Sequence, residues 1–301
     1  MQRKIIYLIN PISGTKGKDQ ALALIHRRTA AAGIPYEVIP TNAEGNYYFL
    51  KDQIEQHGVT DVVICGGDGT IRTVVAALVD EPVNVGIIPL GSGNGLAFGA
   101  GISKDPEKAL DIIFAGNAKP VDAFFLNEQF CCMLCGIGFD ALVAHEFAKQ
   151  SSRGLATYVK QTVRNFFVAA PYQFEITTRQ GTIKTEAYFI SIANSNQFGN
   201  QFTIAPQASL SDGLLDIVVA QKSNKIRFLM QVLQQVRNGT IQSWEKASLK
   251  KKGILYFQAS KLSILNPHNA PLHMDGDPAS STHKFSIQVI PHAYRLLQPV
   301  S

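Results

Sequence analysis

No apolar run in this chain approaches the roughly 18 residues that a membrane-spanning helix requires. The N-terminal MQRKIIYLINP has an apolar core too short for a signal peptide, and it carries no cleavage site. Together these absences predict a cytosolic protein that reaches any membrane from outside. Cysteine is scarce, with four in 301 residues. Cys131, Cys132 and Cys135 share the apolar run FCCMLCGIGF, without the paired spacing and second cluster of a zinc site. They read as small buried hydrophobes in a reducing compartment. Charged residues make up only 17%, and no basic stripe with interleaved aromatics is present, which argues against a nucleic-acid partner. Internal repeats and low-complexity segments are also missing. The densest basic stretch, Lys246–Lys252 (KASLKKK), reads as a solvated loop; contact with anionic lipid heads is the sharper alternative.

What is present is globular. The hydrophobic fraction is 46%, and glycine, at 24 residues, points to tight loops rather than disorder. A chain of 301 residues exceeds what one core usually holds, so two domains are expected. The net charge of +5 and isoelectric point near 8.9 favour an anionic partner, although the excess is small.

The first 120 residues or so alternate strand and helix signals. Lys4–Ile9, Pro35–Pro40, Asp61–Cys65 and Val83–Ile88 read as strands. Asp19–Ala32, Glu44–His57, a helix starting at Ile71 and Asp105–Ala115 read as the helices between them, with Leu22, Ile25 and Thr29 on one side of the first. This alternation predicts an N-terminal doubly wound, mostly parallel sheet with helices on both faces, residues 1–122. Beyond it strand signals dominate: Phe130–Gly136, Tyr172–Thr178, Ala187–Ala193, Leu214–Ala220, Ile254–Phe257, Leu262–Leu265 and Phe285–Ile290. Helical stretches interrupt them near Asp140–Ala169 and Lys225–Asn238. Residues 123–301 therefore read as a β-rich sandwich domain, whose last strand is free to return to the first domain. The fold class is α/β with this β-rich second domain.

Three glycine-bearing loops follow strands of the first domain, at the strand ends where open α/β sheets bind ligands. Asn10–Lys18 (NPISGTKGK) places backbone N–H groups and two lysines where a phosphate could lie. Gly66–Thr70 (GGDGT) lets the backbone approach an anion at a helix N-terminus. Within it, Asp68 would repel a phosphate unless a cation intervenes, so it reads as a holder of Mg²⁺. Leu90–Gly95 (LGSGNG) repeats the design, with Ser92, Gly93 and Asn94 facing the ligand and side-chain hydrogen bonds from Ser92 and Asn94. The pattern GxxxxGK[ST] is absent, and the glycines of GSGNGLAFG lack the acidic partner of a dinucleotide site.

NPxSG, then GGDGT, then PLGSGN, in that order and spacing, resemble the diacylglycerol kinase catalytic domain shared with sphingosine, ceramide and small bacterial lipid kinases. GIGFD at Gly136–Asp140, Ala205–Pro206 and SDGLLDI at Ser211–Ile217 extend the resemblance along the chain. It implies an ATP-dependent lipid kinase. Its nucleotide would lie between the domains, held by Asn10, Ser13, Gly14, Thr41, Gly66, Gly67, Asp68, Gly69, Thr70 and Ser92. It also implies a structural Mg²⁺ on Ser209, Asp212 and the Leu214 carbonyl, and a catalytic carboxylate in a late DGE motif. Here that motif is MDGDP, so Asp277 stands where the family has Glu and is the candidate general base, with Asp68 beside the phosphates. Asp275 and Asp216 read as its support or as ligands of a second Mg²⁺.

Other departures are Arg72 and Thr73 in place of Asn-Glu, Gly95 in place of an Asp, and GNQ at Gly199–Gln201 in place of a glycine run. They bear on acceptor identity. Phe139, Phe166, Phe167, Tyr172, Phe198 and Phe202 are candidates to line a lipid cleft, and Phe166–Pro171 to touch a membrane. His145, His268 and His273 read as structural or surface residues. The expected partners are a lipid substrate and a membrane surface touched peripherally from the cytoplasm. An NAD kinase-like soluble enzyme is the first rival, with Asn194–Asn196 where that family has Asn-Glu. The second is a non-catalytic nucleotide or lipid sensor.

Overall fold

A computed structural model describes residues 2–10, 18–42, 44–148, 165–166, 169–197, 205, 207–223, 225 and 253–300. The chain divides into two compact units, Met1–Ala123 with Ile290–Ser301, and Phe124–Val289. The first contains β1 (Ile5–Ile9), α1 (Lys18–Ala31), β2 (Tyr36–Pro40), α2 (Phe49–Glu55), β3 (Asp61–Gly66), α3 (Asp68–Ala76), β4 (Asn84–Pro89), α4 (Gly95–Gly99) and α5 (Pro106–Ala115). β5 (Ala118–Leu126) then carries the chain into the second unit.

The apolar runs of β1 and β3 are buried at every residue, and that of β4 at all but its first. Such runs suit parallel strands covered on both faces. β1 pairs in parallel with β2 and β3, and β3 with β4. On α1, Ala21, Ile25 and Thr29 recur every fourth residue and are buried, with Leu22 half-buried beside them. The Thr29 hydroxyl shares a 2.9 Å hydrogen bond with Tyr7 on β1, which satisfies a polar group on an apolar face. The Asp105 carboxylate accepts the Glu107 N–H at 3.0 Å and caps α5, with Pro106 in its first turn and Gly116 at φ 71° closing it.

Two helices begin elsewhere than the sequence suggests. Asn42 accepts the Asn46 N–H at 3.1 Å and donates to its carbonyl at 2.8 Å. That side-chain turn replaces helix over residues 44–48, so α2 starts at Phe49 rather than Glu44. α3 starts at Asp68 rather than Ile71, because extended Gly67 serves as its N-cap and the glycine loop runs straight into the helix.

The second unit holds β6 (Gln129–Cys131), β7 (Leu134–Gly138), α6 (Phe139–Ala148), β8 (Tyr172–Thr178), β9 (Gly181–Ala193), β10 (Leu215–Gln221), β11 (Ile254–Ala259), β12 (Lys261–Leu265), β13 (Leu272–Met274), β14 (Asp277–Ala279) and β15 (Lys284–Leu297). Its strands run in the order β14-β13-β7-β9-β8-β12-β15, with β10 joined to β9 and β11 to β10. Ile137, Ile176, Ile190, Ile217, Ile264 and Phe285 are among the residues of its core. The end of β15 returns to the first unit, where Arg295 and Leu296 pair in parallel with β4. The strand expected over Phe130–Gly136 is broken into β6 and β7 by a bend at Cys132–Met133. Of the two helical stretches, only α6 and a few isolated positions fall within the described residues. No described helix is long and apolar enough to cross a membrane.

At the start of the first unit's strands sits a buried charge. Asp61 is 1% exposed and takes a two-pronged bond from Arg3, at 2.8 and 3.0 Å. Thr60 and Asn84 also donate to it, and Arg3 reaches the carbonyls of Ile113 and Phe114 at the end of α5. One guanidinium thus ties the first residues of β1, β3 and β4 to α5, which holds the sheet from the end opposite its glycine loops. Arg3→Ala would leave the Asp61 carboxylate buried without its cation. We expect a loss on the order of 3 kcal/mol, read as an earlier urea midpoint; an unshifted midpoint would show that the lock is dispensable.

Candidate active site

The carboxyl ends of the parallel strands carry most of the predicted ligands. After β1, the Asn10 N–H donates to the Cys65 carbonyl at 3.1 Å and its side-chain amide donates to the Thr70 hydroxyl at 2.8 Å. The loop after β1 is thereby tied to the first turn of α3. After β2, the Thr41 N–H donates to the Ile9 carbonyl at 2.9 Å, and its side chain is bonded to Tyr47, whose hydroxyl is pushed up chiefly by burial. Ser13 and Gly14 lie outside the described residues.

GGDGT and LGSGNG touch backbone to backbone. A Cβ on Gly91 would stand 2.5 Å from Gly67 Cα, and one on Gly67 would stand 3.1 Å from Gly91 Cα. A Cβ on Gly66 would meet Thr70 at 3.0 Å, and one on Gly93 would meet the Asp68 carboxylate at 3.0 Å. Gly91 is thus required by loop-on-loop packing before any ligand is considered, and the other three sit in places too tight for a side chain without some shift. Asn94, at φ 53°, is buried and closes a ring on Gly91, accepting its N–H at 2.9 Å and donating to its carbonyl at 2.8 Å. This ring uses the Asn94 side chain to shape the loop, whatever else that side chain meets.

Asp68 has a second task as well. Its carboxylate accepts the Gly95 N–H at 3.0 Å and the Leu96 N–H at 3.3 Å, capping α4 from across the loop contact. A carboxylate oxygen can accept more than one partner, so this geometry is compatible with a cation at Asp68. The first turn of α3, with extended Gly67 before it, presents N–H groups and the positive end of the helix dipole.

In the second unit, Asp275 (φ 49°) and Gly276 (φ 86°) form a two-residue turn between Met274 and Asp277, the paired ends of β13 and β14. Positive φ at both positions is the tight hairpin geometry that Asp-Gly favours. Asp275 points inward at 3% exposure. Its carboxylate accepts the N–H groups of Cys132, Met133 and Leu134 at 3.2, 2.9 and 2.9 Å. The Cys131 thiol adds a 3.0 Å contact; burial first and Asp275 second push that thiol well up, so it stays protonated and donates. Asp275 therefore anchors the turn, which is the supporting one of its two expected roles rather than that of a ligand to a second Mg²⁺. Asp277 heads β14 and is exposed.

Asp216 is fully buried and accepts from Tyr256 and from Gln258 at 3.4 Å across β11, with its carboxyl raised chiefly by burial. That environment suits a strand-to-strand tie rather than an ionic metal ligand. Asn194, which stands where the NAD kinase family has its Asn-Glu pair, is buried and holds the Cys132–Met133 bend. Its N–H and that of Ser195 donate to the Met133 carbonyl at 2.9 and 3.0 Å, and its side chain donates to the Cys132 carbonyl at 3.2 Å.

In the SDGLLD turn, Asp212 accepts the Leu214 N–H at 3.0 Å and Ser209 accepts the Ser211 N–H at 3.4 Å. Ser209, Asp212 and Leu214 thus sit in one short turn offering a hydroxyl, a carboxylate and a carbonyl. Hard oxygen donors of this kind fit a magnesium ion that keeps several waters. No group of three or more His, Cys, Asp or Glu suited to a metal occurs among the described residues.

Phe139 and Phe166 are buried with Tyr188, their rings edge to face at 5.3 and 5.2 Å. Tyr172 packs elsewhere, beside Phe174 on the main core, so it does not join them. Phe167, Phe198, Phe202 and Lys246–Lys252 lie outside the described residues.

Residues 4–126 match the family model described as the diacylglycerol kinase catalytic domain. Residues 134–298 match the YegS C-terminal NAD kinase beta sandwich-like domain. Among curated proteins, the "Probable lipid kinase YegS-like" of Shewanella frigidimarina (strain NCIMB 400) is 30% identical over 83% of this chain and 80% of its own. The "Probable lipid kinase YegS" of Escherichia fergusonii is 28% identical over 89% and 87%. A crystal structure of a diacylglycerol kinase from Bacillus anthracis str. Sterne superposes with TM-score 0.75 at 20% identity, covering 98% of this chain and 97% of that one. Another solved structure from the same organism reaches 0.80 at 21%.

Asp275→Asn would set an NH₂ group against backbone N–H donors. Urea unfolding is expected to show a loss of about 2 kcal/mol. Wild-type stability in this variant would mean that the amides of residues 132–134 do not depend on the carboxylate.

Proposed function

Because the chain belongs to the diacylglycerol kinase catalytic-domain family, carrying that domain and the YegS C-terminal domain in sequence, we propose that it transfers the γ-phosphate of ATP to a lipid hydroxyl at the cytoplasmic surface of a membrane. The observation that carries this reading is the fused pair of glycine loops at the carboxyl ends of β3 and β4, with Asn10 bonded to Thr70 beside them. Dense backbone N–H groups at a helix N-terminus are what a polyphosphate requires.

Phosphoryl transfer rests on positioning, on neutralising charge at the γ-phosphate and on removing the acceptor's proton. In this reading Gly66, Gly67, Gly69, Thr70, Ser92 and Gly93 cradle the phosphates, and Asn10, Thr41, Ser13 and Gly14 complete the nucleotide site. Bound Mg²⁺ supplies charge neutralisation; Asp68 would face it at the phosphates, and Ser209, Asp212 and Leu214 would hold a structural ion. Asp277 takes the proton from the lipid hydroxyl. The hydroxyl oxygen then bonds to the γ-phosphorus while the bond to the β–γ bridging oxygen breaks, leaving ADP. Exposure of Asp277 on the hairpin suits a base that must meet a substrate arriving from outside.

Diacylglycerol-like and sphingosine-like acceptors both fit this chemistry. The soluble NAD kinase reading is weakened by Asn194, whose amide is bound to the chain's own backbone. The test is transfer of labelled γ-phosphate from MgATP to a lipid panel in mixed micelles with NAD present as a soluble acceptor. Label is expected in a lipid; label in NAD, or in no acceptor, overturns the reading. In the same assay Asp277→Asn is expected to lower turnover by about 10²–10⁴-fold with ATP affinity unchanged, and undiminished turnover would remove Asp277 from the mechanism.

A further inference from the structure

Beside the hairpin that carries Asp277 lies a buried polar pair that the reaction above does not use. His273 on β13 is fully buried, and its Nε2 stands 3.5 Å from Oδ2 of Asp140 in the first turn of α6. The other Asp140 oxygen accepts the Ala141 N–H at 2.8 Å, which fixes the carboxylate at the helix start. Gly136 is the strand partner of His273 on β7. A Cβ there would fall 1.9 Å from Asp140 Oδ2 and 2.4 Å from His273 Nε2. Any side chain at residue 136 would occupy the place where the pair meets. Ser191 pairs with Gly136 from the other side, on β9, and its buried hydroxyl has no hydrogen-bond partner among the described residues. Flanking Leu272 and Met274 belong to the apolar core.

Polar groups in such a layer are costly to bury, and apolar side chains would fill it without that cost. Here a glycine, a carboxylate and an imidazole on separate elements are mutually fitted. Their position in the hairpin gives a reason. His273 is paired with Pro278, the residue that follows Asp277. Asp275 fixes the turn through the amides of residues 132–134. At the legs of the hairpin His273 stands against Asp140, 3.5 Å away.

We propose that His273 and Asp140 are positioning residues for phosphoryl transfer, holding the β13–β14 hairpin on α6 so that Asp277 is presented at a fixed height. The proposal rests on Asp277 acting as the base. A side chain one methylene shorter than Glu tolerates little displacement, and an error of about 1 Å can cost about 10²-fold in rate.

The test uses the full chain with the lipid it labels, comparing His273→Leu, His273→Gln, Asp140→Asn, Gly136→Ala, the Gly136→Ala/His273→Leu double variant and Asp277→Asn. His273→Leu is expected to lower kcat by about 10²-fold with KM for ATP unchanged. His273→Gln, which keeps an N–H donor, is expected to recover most of the loss. Gly136→Ala should reproduce the loss and add nothing to His273→Leu, because both act by separating the same pair. Amide exchange at Gly276 and Asp277 should quicken by about tenfold in His273→Leu without any substrate. If His273→Leu does not fold, Asp140→Asn is read in its place.

Unchanged kcat, or equal losses in His273→Leu and His273→Gln with KM for ATP rising alongside, would overturn the positioning role. Full turnover in Asp277→Asn would instead overturn the base assignment. In that case, quickened exchange at Gly276 and Asp277 would still mark the pair as the hairpin's anchor, and unchanged exchange would overturn that too.

Discussion

The backbones of Gly67 and Gly91 lie so close that Gly91 has no room for a side chain and Gly67 very little, and the glycine-loop end of the first unit is organised around that contact. It brings the loop after β3 against the loop after β4. It lets the Asp68 carboxylate cross over to cap α4 and sets Gly93 against the same carboxylate. Asn94 closes its own loop, and Asn10 ties the end of β1 to Thr70. Each loop is held by another part of the chain, as the proposed phosphate cradle would require of its N–H groups. The Arg3–Asp61 lock at the far end of the strands serves the same rigidity.

The second unit follows a similar logic with different means. A carboxylate, Asp275, is turned inward and satisfied by three amides, while its neighbour Asp277 remains exposed. Asn194 and Ser195 hold the same bend through its carbonyls. The bend at Cys132–Met133 is therefore gripped from both sides, and the hairpin inherits its fixed position. In the adjacent layer, Gly136 leaves space for Asp140 and His273. Residues that resemble catalytic or nucleotide-binding groups in the sequence are, in this unit, often the framework for one exposed acid.

Continuous apolar runs such as IIYLI and DVVIC made the parallel strands legible, because burial on both faces leaves no alternation to misread. The three glycine loops were legible for their placement after strands. What each glycine is for was not, since backbone contact between loops distant in sequence leaves no local signature. That Asn94 and Asp68 also shape these loops was not legible, because the partners that engage them, Gly91 and the α4 amides, are visible only in the fold. The helix expected from Glu44 failed on one side-chain turn at Asn42, and the strand expected at Phe130–Gly136 failed on a bend made for Asp275. Both are long-range or capping effects that apolar periodicity does not record. Asp275–Gly276 is a dipeptide that favours tight turns, and the structure makes it one.

If the fused glycine loops are the phosphate cradle, nucleotide must bind there and must quieten them. Hydrogen–deuterium exchange of the full chain with and without MgATP measures this directly. The account predicts slowed exchange in peptides covering Gly66–Thr70 and Leu90–Leu96. Binding of MgATP with protection confined to other segments, or no protection at saturating nucleotide, would contradict it.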